Sequence, residues 1–150
     1  MVILGLDLGT KTGWALKTKK TVYSGVWNFS AKKYDGAGMR FLKFKHELEA
    51  LVASHKVEAV YYEAVRRHIG TDAAHIYGGF MATLQALCED MRVPYAGISV
   101  GTIKKHACGK GNGSKEMIIA AAKAKWPHVE IIDDNHADAL WVMQCGLEGM

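Results

Sequence analysis

The chain has 150 residues, a size at which one hydrophobic core forms without disulfides or a structural metal. Hydrophobic residues at 49% and charged residues at 23% exclude a disordered chain, and no apolar run approaches the length of a membrane span. The net charge of +4 is modest, and Cys88, Cys108 and Cys145 are widely spaced with no C-x-x-C pair, so neither a disulfide framework nor a zinc site is suggested.

Taken in chain order, Val2 to Leu8 is an apolar run that predicts a strand, and Gly9-Thr10-Lys11-Thr12-Gly13 punctuates it before Trp14-Ala15-Leu16 resumes an extended pattern. Thr21 to Phe29 alternates as a third antiparallel strand would. Met39 to Ser54 carries Phe41, Leu42, Leu48, Leu51 and Val52 at helical spacing. Val57 to Tyr62 is a buried strand that delivers Glu63 at its C-terminal end. After the basic loop Arg66-Arg67-His68 a helix is expected over 71–91, weakened by Gly78-Gly79 by about 1 kcal/mol each. Pro94 to Val100 predicts a fifth strand, followed by helices near 102–107, 114–125 and 134–146, with Gly109 to Gly113 breaking the chain between the first two. This order is α/β: a mixed five-stranded sheet, three antiparallel strands then two parallel, flanked by helices in one domain over 1–150. It fits the RNase H-like fold. The composition predicts a cytoplasmic protein that has no dealings with a membrane.

Charge is unevenly spread. Between Gly101 and Lys125 lie Lys104, Lys105, Lys110, Lys115, Lys123 and Lys125 against the single acid Glu116, so a local basic patch surrounds a glycine-rich loop. A solvated polar face is the competing explanation. His68 and His106 fall within the two basic segments, where they could touch phosphate; most of the seven histidines are expected at the surface.

Three acids carry the chemistry. Asp7 ends an otherwise apolar strand, and a carboxylate buried there needs a hydrogen bond, a counter-charge or a metal. Glu63 repeats that situation on the next core strand. Asp133-Asp134-Asn135-His136-Ala137-Asp138 opens the last helix, with Asp134, Asn135 and Asp138 on one face and His136 pointing elsewhere. Asp133 and Asp134 are better explained as N-terminal caps; Asp138, one turn in, is less easily explained so. Carboxylates converging from strand ends and a helix start suit hard divalent cations, Mg²⁺ or Mn²⁺, and two such ions about 4 Å apart can promote in-line phosphodiester hydrolysis. The lysines would then position the anionic backbone.

Ile3-Leu4-Gly5-Leu6-Asp7-Leu8-Gly9-Thr10-Lys11-Thr12-Gly13-Trp14-Ala15, Val60-Tyr61-Tyr62-Glu63 and Asn135-His136-Ala137-Asp138-Ala139-Leu140 resemble, in order, the first, second and last motifs of the RuvC Holliday junction resolvases. Ile103 to Lys115 is similar to that family's DNA-contacting loop and helix start. The resemblance implies a homodimeric endonuclease that binds four-way DNA junctions and nicks two strands symmetrically. Asp7, Glu63 and Asp138 would hold metal, with Asp134 as a fourth catalytic ligand or supporting group and Asn135 as a neutral oxygen donor. Lys104 and Lys115 would contact the scissile strand, with Lys105, Lys110, Arg66, Arg67 and Lys11 adding DNA contacts. The short length and the Asn-x-Ala-Asp-Ala form look like phage-type members.

Two positions depart from the family pattern: Asn135 stands where an acid or histidine is usual three residues before the last aspartate, and Arg66 stands where an aromatic residue follows the strand-end glutamate. Three other readings remain open on the sequence. One is a nuclease of the same fold acting on forks, flaps or RNA. Another is a junction-binding protein without catalysis. The third is an actin-like ATPase fragment, suggested by Asp7-Leu8-Gly9-Thr10, which would need a second such domain. Gly109 to Lys115 does not form a phosphate-binding P-loop, because its lysine follows the serine, so no nucleotide cofactor is expected.

Overall fold

The structure, a computed structural model, describes residues 1–149. Three strands open the chain: β1 (Ile3–Asp7), β2 (Lys11–Lys17) and β3 (Val22–Asn28). Helix α1 (Met39–His55), strand β4 (Ala59–Ala64), helix α2 (Thr71–Met91) and strand β5 (Tyr95–Ser99) follow. Helices α3 (Val100–Cys108), α4 (Lys115–Lys125) and α5 (Asp134–Leu147) complete the order. The sheet runs β3-β2-β1-β4-β5, antiparallel through β1, β2 and β3 and parallel from β1 to β4 to β5. This is the mixed sheet that the hydrophobic pattern predicts. Among the described residues no helix is long and apolar enough to cross a membrane.

Side chains alternate across a strand, so each strand divides its residues between two cores. Leu4, Leu6, Leu16, Val60 and Tyr62 face one core, where they meet Phe44 and Leu48 of α1 and Phe80 and Leu84 of α2. Ile3, Ala15, Ala59 and Ile98 face the other, against Ile103 of α3, Ile118 of α4 and Leu140 and Met143 of α5. The same parity puts Gly5 and Asp7 of β1, Gly13 of β2 and Glu63 of β4 on the α5 side. Small residues there let α5 lie directly on the sheet. A Cβ at Gly5 would overlap the backbone of Met143, and one at Gly13 would overlap the backbone carbonyl of Asn135. Any side chain at either position pushes α5 away from β1 and β2.

Three boundaries differ from the sequence expectation, two of them for capping reasons. The fifth strand ends at Ser99, whose hydroxyl accepts the Thr102 N–H at 3.2 Å, so α3 begins at Val100 without a loop. Glu63 is the penultimate residue of β4, with Ala64 continuing the pairing to Ser99. The helix after the glycine-rich loop is capped by Ser114, which accepts the Met117 N–H at 3.2 Å.

Candidate active site

Asp7, Glu63 and Asp138 meet at one end of the sheet, and one carboxylate oxygen from each lies within 4.8 Å of the others. Asp7 ends β1 and Glu63 nearly ends the parallel neighbour β4, so the two acids emerge side by side on the α5 face. Asp138 comes down on them from the second turn of α5. The helix start is fixed by Asp133, whose carboxylate accepts the His136 N–H at 2.9 Å; Asp133 is therefore the cap and Asp134 is free for another role.

Crowding three acids in a half-buried place has the expected electrostatic result. Burial, followed by the charges of Glu63, Asp138 and Asp134, raises the Asp7 carboxyl well above its ordinary range. Glu63 is raised by burial, with Lys104 opposing the shift and Asp134 adding to it. Asp138 is pushed up to about 7 by burial and then by Glu63 and Asp134. The Asp7 and Asp138 carboxyls also act directly on each other, raising the first and lowering the second. Hard oxygen donors that repel one another and hold protons in the absence of a counter-charge are a donor set that fits a divalent cation.

Asp134 stands on the rim. It is close enough to raise all three clustered acids, yet its own carboxylate pairs with Lys115 Nζ at 3.5 Å. The next residue, Asn135, has its backbone carbonyl against Gly13.

The basic residues form the surroundings. Lys104 on α3 is half-buried and acts electrostatically on both Glu63 and Asp138. Lys105, Lys110, Lys115, Arg66, Arg67 and Lys11 are exposed. Arg66 and Arg67 share a shallow cleft with Ala64, Val65, Ser99, Val100 and Gly101, so the loop after β4 adjoins the start of α3. His106 departs from the expectation of phosphate contact. Its Nε2 lies 2.6 Å from a Glu148 carboxylate oxygen and its ring meets Trp141 edge-on, which turns it inward.

His136 was not singled out by its sequence context and is the most informative residue found by the structure. Only 2% of it is exposed. Its Nδ1 accepts the Ile132 N–H at 3.1 Å, which leaves the proton on Nε2 to be donated to Ser24 Oγ of β3 at 2.8 Å. Burial lowers its pKa, with Asp133 opposing, and the ring is neutral. The side chain ties the turn before α5, the first turn of α5 and the sheet together. It is a positioning residue for Asp134 and Asp138. The signal available in the sequence was its offset of two from Asp138, which directs it away from the acids and into the sheet.

Tyr77 of α2 plays the matching part for Glu63. Its hydroxyl donates to the Glu63 carbonyl at 2.7 Å and accepts the Val65 N–H at 3.1 Å, holding β4 where it leaves the sheet.

No protein-family model matches the chain, and no curated protein sequence matches it either. Solved structures do. Thermus thermophilus RuvC in complex with Holliday junction substrate superposes with a TM-score of 0.81 at 19% identity, covering 95% of this chain and 90% of that one. The yeast mitochondrial Holliday junction resolvase gives 0.61 at 19% identity, over 94% of this chain and 75% of that one. The fowlpox virus resolvase with its Holliday junction DNA gives 0.59 at 11% identity, over 99% of each. The fold is that of the RuvC-like resolvases, as the sequence motifs led one to expect.

Proposed function

We propose that this chain is a metal-dependent endonuclease that binds four-way DNA junctions and nicks them by phosphodiester hydrolysis. The observation that carries the reading is the convergence of Asp7, Glu63 and Asp138 within 4.8 Å at one end of a sheet with the RuvC-like fold. Asp7, Glu63 and Asp138 would hold Mg²⁺ or Mn²⁺, with Asp134 and Asn135 at the rim as further oxygen donors. A divalent cation bound there supplies Lewis acidity toward the scissile phosphate. The remaining work falls to side chains of the chain itself. Lys104, beside Glu63 and Asp138, offsets part of the negative charge that would otherwise repel the DNA backbone. Lys105, Lys110, Lys115, Arg66, Arg67 and Lys11 bind phosphates on either side of the acids. Lys115 would exchange its exposed pairing with Asp134 for a DNA phosphate, which frees that carboxylate. Two strands cut symmetrically require two such centres, which a homodimer provides.

The deciding experiment is cleavage of a labelled four-way junction beside a fork, a linear duplex and an RNA–DNA hybrid, with Mg²⁺, Mn²⁺ or EDTA. Paired symmetric nicks in the junction, lost with EDTA, are expected. Cleavage confined to the hybrid would make the protein an RNase H, and tight junction binding with no cutting under any metal would make it an architectural protein.

A further inference from the structure

The three acids are placed by strand ends and by α5, whereas Lys104 rides on a helix with weaker support. Helix α3 has 9 residues, too few to be stable by itself in water, and it runs straight into the glycine-rich segment from Gly109 to Gly113. Its first turn is fixed by the sheet. Glu63 pairs with Ile98 across β4 and β5, and Ser99 caps α3, so the helix starts one strand away from the acids. Farther along, Ile103 and Ala107 pack on the α5 core, but apolar contacts carry no direction and leave a short helix free to roll.

One polar contact near the end of α3 does carry direction. His106 Nε2 donates to one Glu148 carboxylate oxygen at 2.6 Å, and the other oxygen accepts from Gln144 Nε2 at 3.0 Å. Glu148 is itself held at the end of α5, where its N–H donates to the Gln144 carbonyl at 3.1 Å. The His106 ring sits edge-on to Trp141, which packs against Trp126 and donates its indole N–H to the Ile118 carbonyl at 3.3 Å. Asp138, Trp141 and Glu148 follow one another along a single stripe of α5 and its cap. The two residues that grip His106 thus share a stripe with one of the acids on which Lys104 acts. Counted around α3, Lys104 and His106 fall on either side of the edge that carries Ile103 and Ala107, so a roll that freed His106 would swing Lys104 as well.

We infer that His106 and Glu148 are positioning residues, whose contact fixes the roll of α3 and keeps Lys104 turned toward Glu63 and Asp138. The consequence for cleavage rests on the nuclease reading; the consequence for the place of Lys104 does not.

The test cuts the contact from each side, with His106→Ala and with Glu148→Ala, the second at an exposed residue where the fold tolerates the change. Acylation of lysines in the metal-free protein by a water-soluble succinimidyl ester, read by mass spectrometry, should quicken several-fold at Lys104 in both variants and stay at the wild-type rate at Lys105 and Lys115. In single-turnover cleavage of a four-way junction with Mg²⁺, both variants should cut roughly tenfold more slowly, a fraction of the roughly hundredfold that a full ångström of misplacement can cost, with junction affinity in Ca²⁺ unchanged. His106→Gln, which keeps an N–H donor near the place of Nε2, should recover most of that rate. In a Lys104→Ala background His106→Ala should cost no further rate, because it acts through that lysine. A role in stability alone would lower the denaturation midpoint equally in either background and leave Lys104 labelling at the wild-type rate, which would overturn the inference, as would a full additive loss of rate in the double variant. If the wild type cuts no DNA the nuclease reading falls, and Lys104 labelling by itself upholds or overturns the positioning role.

Discussion

The acid cluster and the basic surface around it are built on opposite principles. The acids are partly buried, each on a different element, and held within a few ångströms by backbone packing; the lysines and arginines are mostly exposed and spread over a strand, loops and helices, with the exposed Lys115 paired to Asp134. Chemistry needs positions defined to fractions of an ångström, whereas binding a uniformly charged backbone needs only cations in the neighbourhood. Substitutions in the first region should therefore act on cleavage in large single steps, and those in the second should act on affinity in small cumulative ones.

The sharpest break in that comparison comes from Asp7→Asn. It removes one of the proposed metal ligands and leaves every cation in place, so cleavage should fall to background while gel-shift affinity for a junction stays at the wild-type value. Loss of binding together with cutting would show that the two regions are not separable.

Next in size are the residues that seat α5. His136→Ala removes the acceptor for the Ile132 N–H and the partner of Ser24, at a cost of about 1–3 kcal/mol for buried groups left unsatisfied. Gly13→Ala forces its methyl group against the Asn135 carbonyl, with a cost of about 1–3 kcal/mol for overpacking. Both should lower the denaturation midpoint and weaken Mn²⁺ binding, read by calorimetry, with DNA affinity in EDTA little changed. His136→Asn, which keeps an acceptor near the place of Nδ1, should recover part of the metal affinity. If both histidine variants bind Mn²⁺ as wild type does, His136 serves the core alone.

The electrostatics of the cluster give a pH signature. Asp7, Glu63 and Asp138 are all held above their ordinary range, Asp138 at about 7, so the folded metal-free protein retains protons that the unfolded chain has already released. Their contribution to stability is thus favourable at acidic pH and is lost as pH rises from about 4 toward 7. Thermal melts in EDTA should show a lower midpoint at pH 8 than at pH 5.5, a shallower dependence in Asp7→Asn, and the largest rise on adding Mn²⁺ at pH 8. A midpoint that does not change with pH would contradict the crowding of the acids.

The smallest effects belong to single cations. Lys115→Ala or Lys110→Ala should weaken junction binding modestly and reduce the slope of log affinity against log salt by about one each, without altering which bond is cut. Lys104 is the exception that tests the division, because it is half-buried beside Glu63 and Asp138; Lys104→Ala should reduce cleavage more than it reduces binding.

The same contrast explains what was legible in the amino-acid sequence. Asp7 and Glu63 were readable because an acid at the end of an apolar strand breaks the pattern, and Asp138 because it lies one turn past any capping position. The order of elements along the chain followed from alternation and length, and the capping serines displaced only boundaries. His136 was not readable as an anchor, since its two partners, Ile132 N–H and Ser24, lie on a turn and on a strand far off in sequence. Nor was the inward turn of His106, which depends on Glu148 beyond the last helix. Local signals identify the groups that conflict with their surroundings; residues that resolve a conflict elsewhere show themselves only in three dimensions.

The seating of α5 over Gly5 and Gly13 also bears on the order of events during folding. Residues 7, 63 and 138 meet only when the central strands are paired and the last helix has docked on them, and such long-range contacts form late and cooperatively. No hairpin or single helix of this chain holds the three acids. On the proposed nuclease function, a nascent, truncated or partly unfolded copy would be harmless to the DNA around it, and the capacity to cut would arrive in one step with the native state.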